Sequence, residues 1–250
     1  MLIYLLLMLM MISFLILCSP SIPYSTETPR AIVPYSEEYV PLYELVTYRP
    51  ERYHMELTYL QSRMSTSSHV LDVGSGLGYH VGHLNDNGIS AVGLDSSKAM
   101  VHHAKQAFPQ TYIHGNVMNA SLFPEESFTH ILCLYYTIYE IQDKETFFHN
   151  AHHWLSEKGT LVVHWSSQRP YGEPMVGDIT YESTLHNTML KEKIKYKQSY
   201  TVHHILYPLS KEALIHMAKK CHFRYVNEYP YAYHSLLTFQ RETPTYDNTE

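Results

Sequence analysis

Val70-Leu71-Asp72-Val73-Gly74-Ser75-Gly76-Leu77-Gly78 decides how this chain is read. An apolar run with β-branched residues contains one acidic side chain, three glycines follow at alternate positions, and a helical pattern opens after them. Glycine at this spacing serves a backbone that must take positive φ, or must approach a ligand with no Cβ in the way. The spacing is G-x-G-x-G. The dinucleotide fingerprint G-x-G-x-x-G needs glycine at position 79, where Tyr79 stands, and this disfavours a nicotinamide dehydrogenase.

Outward from the loop, apolar strands alternate with helical patterns. His69–Val73 reads as a strand, and a helix runs from about Tyr79 to Asn87 and stops at Gly88. Ser90–Leu94 is the next strand, ending at Asp95. Ser96 or Ser97 then caps a helix carrying Met100, Val101, Ala104 and Phe108, with Pro109 closing it. Thr111–His114 is a short strand. Phe128–Tyr135 is almost continuously apolar, as a strand buried on both faces should be. Lys144–Leu155 reads as a helix, Gly159–Trp165 as a strand, Lys211–Lys220 as a helix, and Phe223–Glu228 with Ser235–Arg241 as a terminal hairpin. Leu57, Leu60 and Met64 fall at helical spacing after Pro50, a natural helix start. This order predicts an α/β fold with a parallel sheet and right-handed crossovers. Its ligand site then lies at the carboxyl ends of the strands, beside the glycine loop.

From about Tyr53 to Arg241 the chain resembles the class I S-adenosylmethionine (SAM) methyltransferases, whose motifs it carries in the family's order. The resemblance implies a seven-stranded, mostly parallel, Rossmann-like sheet with helices on both faces and an antiparallel last strand. It also implies SAM as cofactor. Asp72 would then lie near the methionine part. Gly74, Ser75, Gly76 and Gly78 would form the loop beneath the cofactor, and Asp95, with Ser96 beside it, would accept both ribose hydroxyls. A carboxylate suits that task because it takes two donors at once. Asn116 and Val117 would meet the adenine; many relatives have aspartate at the Asn116 position. Cys133, opening Cys133-Leu134-Tyr135-Tyr136-Thr137-Ile138-Tyr139, is a further expected cofactor neighbour. The Asp/Asn-Pro-Pro-aromatic motif of methyltransferases acting on adenine, cytosine or glutamine is absent from this stretch. Methyl transfer needs alignment first and a base only for a protonated nucleophile. Tyr136, Tyr139, Glu140 and His164 are the candidate groups, His164 foremost.

Bulk properties frame this reading. A chain of 250 residues with 45% hydrophobic and 17% charged content builds one large domain with appendages. The formal net charge of −6 gives no basic field for nucleic acid. Cys18, Cys133 and Cys221 lie too far apart for a disulfide framework, which fits a reducing compartment. The 18 histidines include His149, His152 and His153 at helical spacing, but no cysteine pair or carboxylate with zinc-like spacing accompanies them, so no metal is expected.

Residues 1–18 carry no charge and would reach about 27 Å as a helix, slightly short of a bilayer's apolar layer. They read as a membrane anchor or a signal segment, and Arg30, the first basic residue, puts the body on the cytoplasmic side. Residues 19–52 read as a linker and N-terminal arm, 53–241 as the methyltransferase domain and 242–250 as a polar tail. Residues 166–205 read as an insertion forming a substrate lid. Within it Lys191, Lys193, Lys195 and Lys197 share one face if the segment is a strand. The expected function is methyl transfer to a small molecule or a protein group. A non-catalytic SAM-binding scaffold at a membrane is the alternative.

Overall fold

The computed structural model describes residues 30–47, 50–167, 179–186, 188–196, 200–232 and 234–243. The leader expected at residues 1–18 lies outside these. No helix among the described residues is long and apolar enough to cross a membrane.

The main sheet has seven strands. In chain order they are β2 (His69–Val73), β3 (Ser90–Asp95), β4 (Tyr112–His114), β5 (Phe128–Cys133), β6 (Leu155–Ser166), β10 (Phe223–Tyr231) and β11 (His234–Arg241), and they lie side by side as β10-β11-β6-β5-β2-β3-β4. β2 to β6 pair in parallel, whereas β11 runs antiparallel to both β6 and β10. The switch point falls at β2, between β3 and β5, and the glycine loop leaves the sheet there.

Successive residues of a strand face opposite sides, so each central strand supplies two cores. Leu71, Ile131, Leu161 and Val163 join Phe147, Phe148, Ala151 and Trp154 of α6 (Lys144–Trp154), together with Leu214 and Ala218 of α7 (Lys211–Lys220). Val70, Leu132, Val162 and Leu236 face the other way. They meet Leu60 of α2 (Pro50–Gln61), Val81 and Leu84 of α3 (Tyr79–Asp86), and Val101 and Ala104 of α4 (Lys98–Ala107). The helix starts are capped as the sequence indicates: Ser97 accepts the Met100 N–H, Asp143 the Thr146 N–H and Ser210 the Ala213 N–H.

Two of the expected segments carry regular structure. Within the presumed linker and arm, residues 30–47 and 50–52 include β1 (Arg30–Ile32), α1 (Val40–Thr47) and the start of α2. The described part of the presumed lid is a sheet: β7 (Ile179–His186), β8 (Met189–Tyr196) and β9 (Tyr200–Leu206), with β1 completing the order β1-β9-β8-β7. Arg30 pairs with Tyr200 and Ile32 with Val202, so the arm and the insertion are one unit. Its inner face carries Ile32, Ile179, Ile194 and Val202 and packs on Tyr39, Val40 and Leu42, with Ala99 and Met100 of α4 beneath. Of the lysines, Lys193 and Lys195 lie 3.8 and 2.8 Å from Glu182. Lys197 lies outside the described residues.

Gly78 sits at φ +84°, and a Cβ there would come within 2.6 Å of the Tyr112 ring, whose hydroxyl donates to Gly78 O. Gly78→Ala therefore strains the backbone and pushes on a buried ring. The expected cost is about 1–3 kcal/mol, read as a lower urea midpoint at constant m-value, and an unchanged midpoint contradicts this packing.

Candidate active site

The loop after β2 is tied to the end of β3. Gly74 and Ser75 donate their N–H groups to Leu94 O at 2.8 and 3.1 Å. Gly76 N–H donates to Asp95 Oδ2 at 2.8 Å, and Ser97 N–H donates to Asp95 Oδ1 at 2.8 Å. Each Asp95 oxygen thus keeps a second lone pair for a ligand. Burial raises the Asp95 pKa, and the Ser97 and Gly76 amides oppose that rise. Gly74 stands at φ +69°, and a Cβ there would lie 2.5 Å from Thr137 Oγ1, so only glycine lets the loop pass.

Above this loop lies a cavity of about 440 Å³, lined by Gly74, Gly76, Asp95, Ser96, Asn116 and Val117 from the strand ends. Tyr135, Thr137, Glu140 and Asp143 line it from the β5 side, and Tyr35 and Tyr43 from the N-terminal arm. Asn116 spends one Oδ1 lone pair on the Met118 N–H at 2.9 Å, which leaves the second and its amide N–H groups for a ligand. Tyr135 and Tyr136 both take left-handed φ, +50° and +66°. Two such non-glycine residues in succession store strain where the chain turns from β5 into α5 (Thr137–Glu140). Burial lifts the Glu140 carboxyl to about 7, against the Tyr35 hydroxyl that donates to it, and Asp95 adds to the rise.

A smaller adjoining space of about 60 Å³ shares Tyr43, Gly74 and Tyr135 with the first and adds Arg52, Glu56, Asp72, Ser75 and His80. Glu56 lies 3.1 Å from His80 Nε2 and 3.8 Å from Arg52 Nε, and it accepts from the Tyr231 hydroxyl at 2.9 Å. Burial works to raise Glu56, but the His80 hydrogen bond and the His80 and Arg52 charges outweigh it and hold it at about 2. His80, which burial would lower, is raised by the Glu56 hydrogen bond. Asp72 is pushed up to about 7, first by burial and then by Asp95 and Glu56, with His80 opposing. The Arg52 guanidinium covers the Tyr135 ring at 3.8 Å. Ser75 Oγ is buried with no hydrogen-bond partner among the described residues. Carboxylates, a guanidinium and an orphan hydroxyl around one small space suit a head group carrying both ammonium and carboxylate.

The expected site residues divide accordingly. Gly74, Gly76, Asp95, Ser96, Asn116 and Val117 meet in the larger cavity, and Asp72 and Ser75 line the smaller one. Gly78 caps α3 beneath the loop and lines neither. Cys133 is fully buried in the core, where burial raises its thiol pKa. The three foremost catalytic candidates also lie off the cavities. His164 is wholly buried, with Nδ1 accepting the Tyr136 N–H at 3.3 Å and Nε2 3.0 Å from His234 Nδ1. The Tyr136 hydroxyl lies 3.2 Å from the same His234 nitrogen. Tyr139 bonds the Ser166 backbone through its hydroxyl, at 3.0 and 3.3 Å. These three hold core polar groups together. Tyr35, Tyr43, Arg52, Glu56 and His80 were not singled out from sequence as site residues. Among the described residues no group of three His, Cys, Asp or Glu could hold a metal ion.

A family model described as "Methyltransferase domain" matches residues 71–163, from mid-β2 to near the end of β6. Residues 71–163 carry a methyltransferase domain. The cofactor that such a domain implies is SAM. The glycine loop, the Asp95 carboxylate with a spare lone pair on each oxygen and the orphan Ser75 hydroxyl fit that cofactor. The PH0226 protein of Pyrococcus horikoshii OT3 shares the fold at 18% identity and TM-score 0.69, over 83% of this chain and 99% of that one. The CcbJ methyltransferase of Streptomyces caelestis does so at 15% and 0.67, over 84% and 98%. The sugar N-methyltransferase KedS8 of Streptoalloteichus sp. ATCC 53650 does so at 16% and 0.55, over 76% and 86%. Identities this low carry the fold alone. No curated protein matches the chain in sequence.

The buried ion pair yields a stability test. The raised pKa of His80 contributes stability that is full below about pH 6.5 and fades as pH rises through its folded value. The lowered pKa of Glu56 contributes above about pH 4.5 and fades as pH falls towards about 2. Glu56→Gln leaves two buried cations without their partner and should cost about 3–5 kcal/mol near pH 6. Urea unfolding from pH 3 to 9 measures this, and a loss that does not shrink at both ends contradicts the assignment.

Proposed function

We propose that the chain transfers the methyl group of SAM to a small-molecule acceptor inside the larger cavity. The observation that carries this is the convergence of the glycine loop and Asp95 on one cavity beside a compact, oppositely charged space. In this reading Asp95 accepts the ribose hydroxyls, and Asn116 with Val117 flanks the base. Asp72 and Glu56 face the α-ammonium, and Arg52 faces the α-carboxylate. SAM, when bound, supplies a methyl group on a positively charged sulfur. The domain's own residues orient the two reactants and exclude water, and alignment of this kind is worth roughly 7–11 kcal/mol. Tyr43 and Tyr135, lining both spaces, offer π-faces suited to a cation. The shared fold with KedS8, a sugar N-methyltransferase, supports an acceptor of small-molecule size.

We place residues 1–18 as a membrane tether with the domain on the cytoplasmic side. Deleting Met1–Ser21 should move the protein from the membrane to the soluble fraction with SAM binding intact, and membrane association that survives the deletion contradicts the tether.

Asp95→Ala should weaken binding of S-adenosylhomocysteine (SAH) by about 1.5–3 kcal/mol, the loss of a charged, buried acceptor. Calorimetric titration reads it, and unchanged affinity removes Asp95 from the ribose. A protein that binds SAM yet forms no SAH with any acceptor pool would be the scaffold instead. The ionised form of Asp72 is the one an ammonium stabilises, so binding should release its proton. Its pKa of about 7 then makes SAH affinity rise about tenfold between pH 6 and pH 8. Asp72→Asn should flatten that rise.

A further inference from the structure

The larger cavity has an uneven charge inventory. Its walls carry Asp95, Glu140 and Asp143, and no lysine, arginine or histidine lines it among the described residues. Asp95 is committed to the loop amides and, in the reading above, to the ribose. Glu140 is different. It closes α5, lines the cavity from the side opposite the glycine loop's strand neighbours, and takes a hydrogen bond from the Tyr35 hydroxyl of the N-terminal arm. The rings of Tyr35, Tyr43 and Tyr135 line the same cavity in edge-to-face order, Tyr35 to Tyr43 at 6.0 Å and 64°, Tyr43 to Tyr135 at 6.4 Å and 73°. A carboxylate among steeply inclined aromatic rings is a receptor for an organic cation. An anionic acceptor would meet only repulsion there.

Resting on the SAM reading, we propose that the acceptor is an aliphatic amine, that Glu140 receives it as its ammonium ion, and that Glu140 takes its proton. An ammonium nitrogen has no lone pair and cannot attack, so a base at this position is what an amine acceptor requires. The proton passes from nitrogen to the Glu140 carboxylate. The freed lone pair forms the new C–N bond to the methyl carbon, and the C–S bond breaks with its electron pair going to sulfur. The products are the methylated ammonium, SAH and one proton, which Glu140 returns to solvent. Tyr35 is the positioning residue: its phenol fixes the carboxyl and joins the arm to α5.

Burial, the Tyr35 hydroxyl and the Asp95 charge set the titration of Glu140. Tyr35 and Tyr43 reach it from the arm, Asp95 from β3, Cys133 from β5, and Asp143 shares its wall. Burial and the Asp95 charge put the carboxyl at about 7, where it can accept a proton and release it again.

The test uses the full protein saturated with SAH and three ring-matched probes: cyclohexylammonium, cyclohexanol and cyclohexanecarboxylate. Binding is followed by ligand-observed NMR at pH 6 and pH 8. Cyclohexylammonium should bind at least tenfold more tightly than the other two at pH 8, with the advantage shrinking at pH 6 as Glu140 gains its proton. In Glu140→Gln that advantage should vanish while SAH affinity stays within threefold. Equal binding of the three probes overturns the proposal, and so does a preference retained by Glu140→Gln. Loss of the preference in Tyr35→Phe to an intermediate level supports the positioning role, and an unchanged preference there overturns that part. Failure to bind SAH at all overturns the cofactor reading instead, and is seen before any probe is added.

Discussion

One carboxylate holds the site in place. Asp95 ends β3 and accepts the amide of Gly76 on one oxygen and that of Ser97 on the other, so it pins the glycine loop to the helix cap next door. The loop cannot pin itself. Its glycines are the freest residues of the unfolded chain and lose the most on ordering, and Gly74 and Ser75 must borrow Leu94 O from the same neighbour. The floor of the larger cavity follows from this latch. Gly74 can pass Thr137 only because the loop is held at that height, and α5 can approach only because Gly74 has no side chain.

Beneath the latch is a layer of buried charge that would be costly in isolation. Glu56 pairs with both His80 and Arg52, and Tyr231 donates to it from β10. Asp72 is the member without a matching cation, and its carboxyl is lifted accordingly. A fold that tolerates this imbalance retains a preference for an incoming positive group. The stability forgone in the free protein is returned when such a group binds. Glu140 repeats the pattern in the larger cavity, held by Tyr35 and lifted by burial.

Much of this was legible along the chain because the signals were local. Strand and helix alternate in the order the apolar periodicity gives. Ser97 caps α4 where a cap was expected, and Gly74, Gly76 and Asp95 line one cavity. What was not legible depends on long-range pairing. β1 finds β9 across the whole domain, and that pairing brings Tyr35 and Tyr43 over the cavity. No residue near Tyr35 announces it. His164 failed as a candidate for a related reason. β6 continues past it to Ser166 and β11 pairs alongside, Leu236 opposite His164, so a residue read as a strand-end group is interior. Glu56 and His80 each look like ordinary helix residues until α2 and α3 are brought together.

The central claim is that this latch and its charged neighbour form a SAM cradle, and a structure of the protein with SAH bound tests it most directly. The account predicts both ribose hydroxyls on the Asp95 carboxylate, the base beside Asn116 and Val117, and the amino-acid end between Asp72, Glu56 and Arg52. SAH bound with its ribose away from Asp95, or with its amino-acid end outside the space beneath Tyr43 and Tyr135, would contradict it.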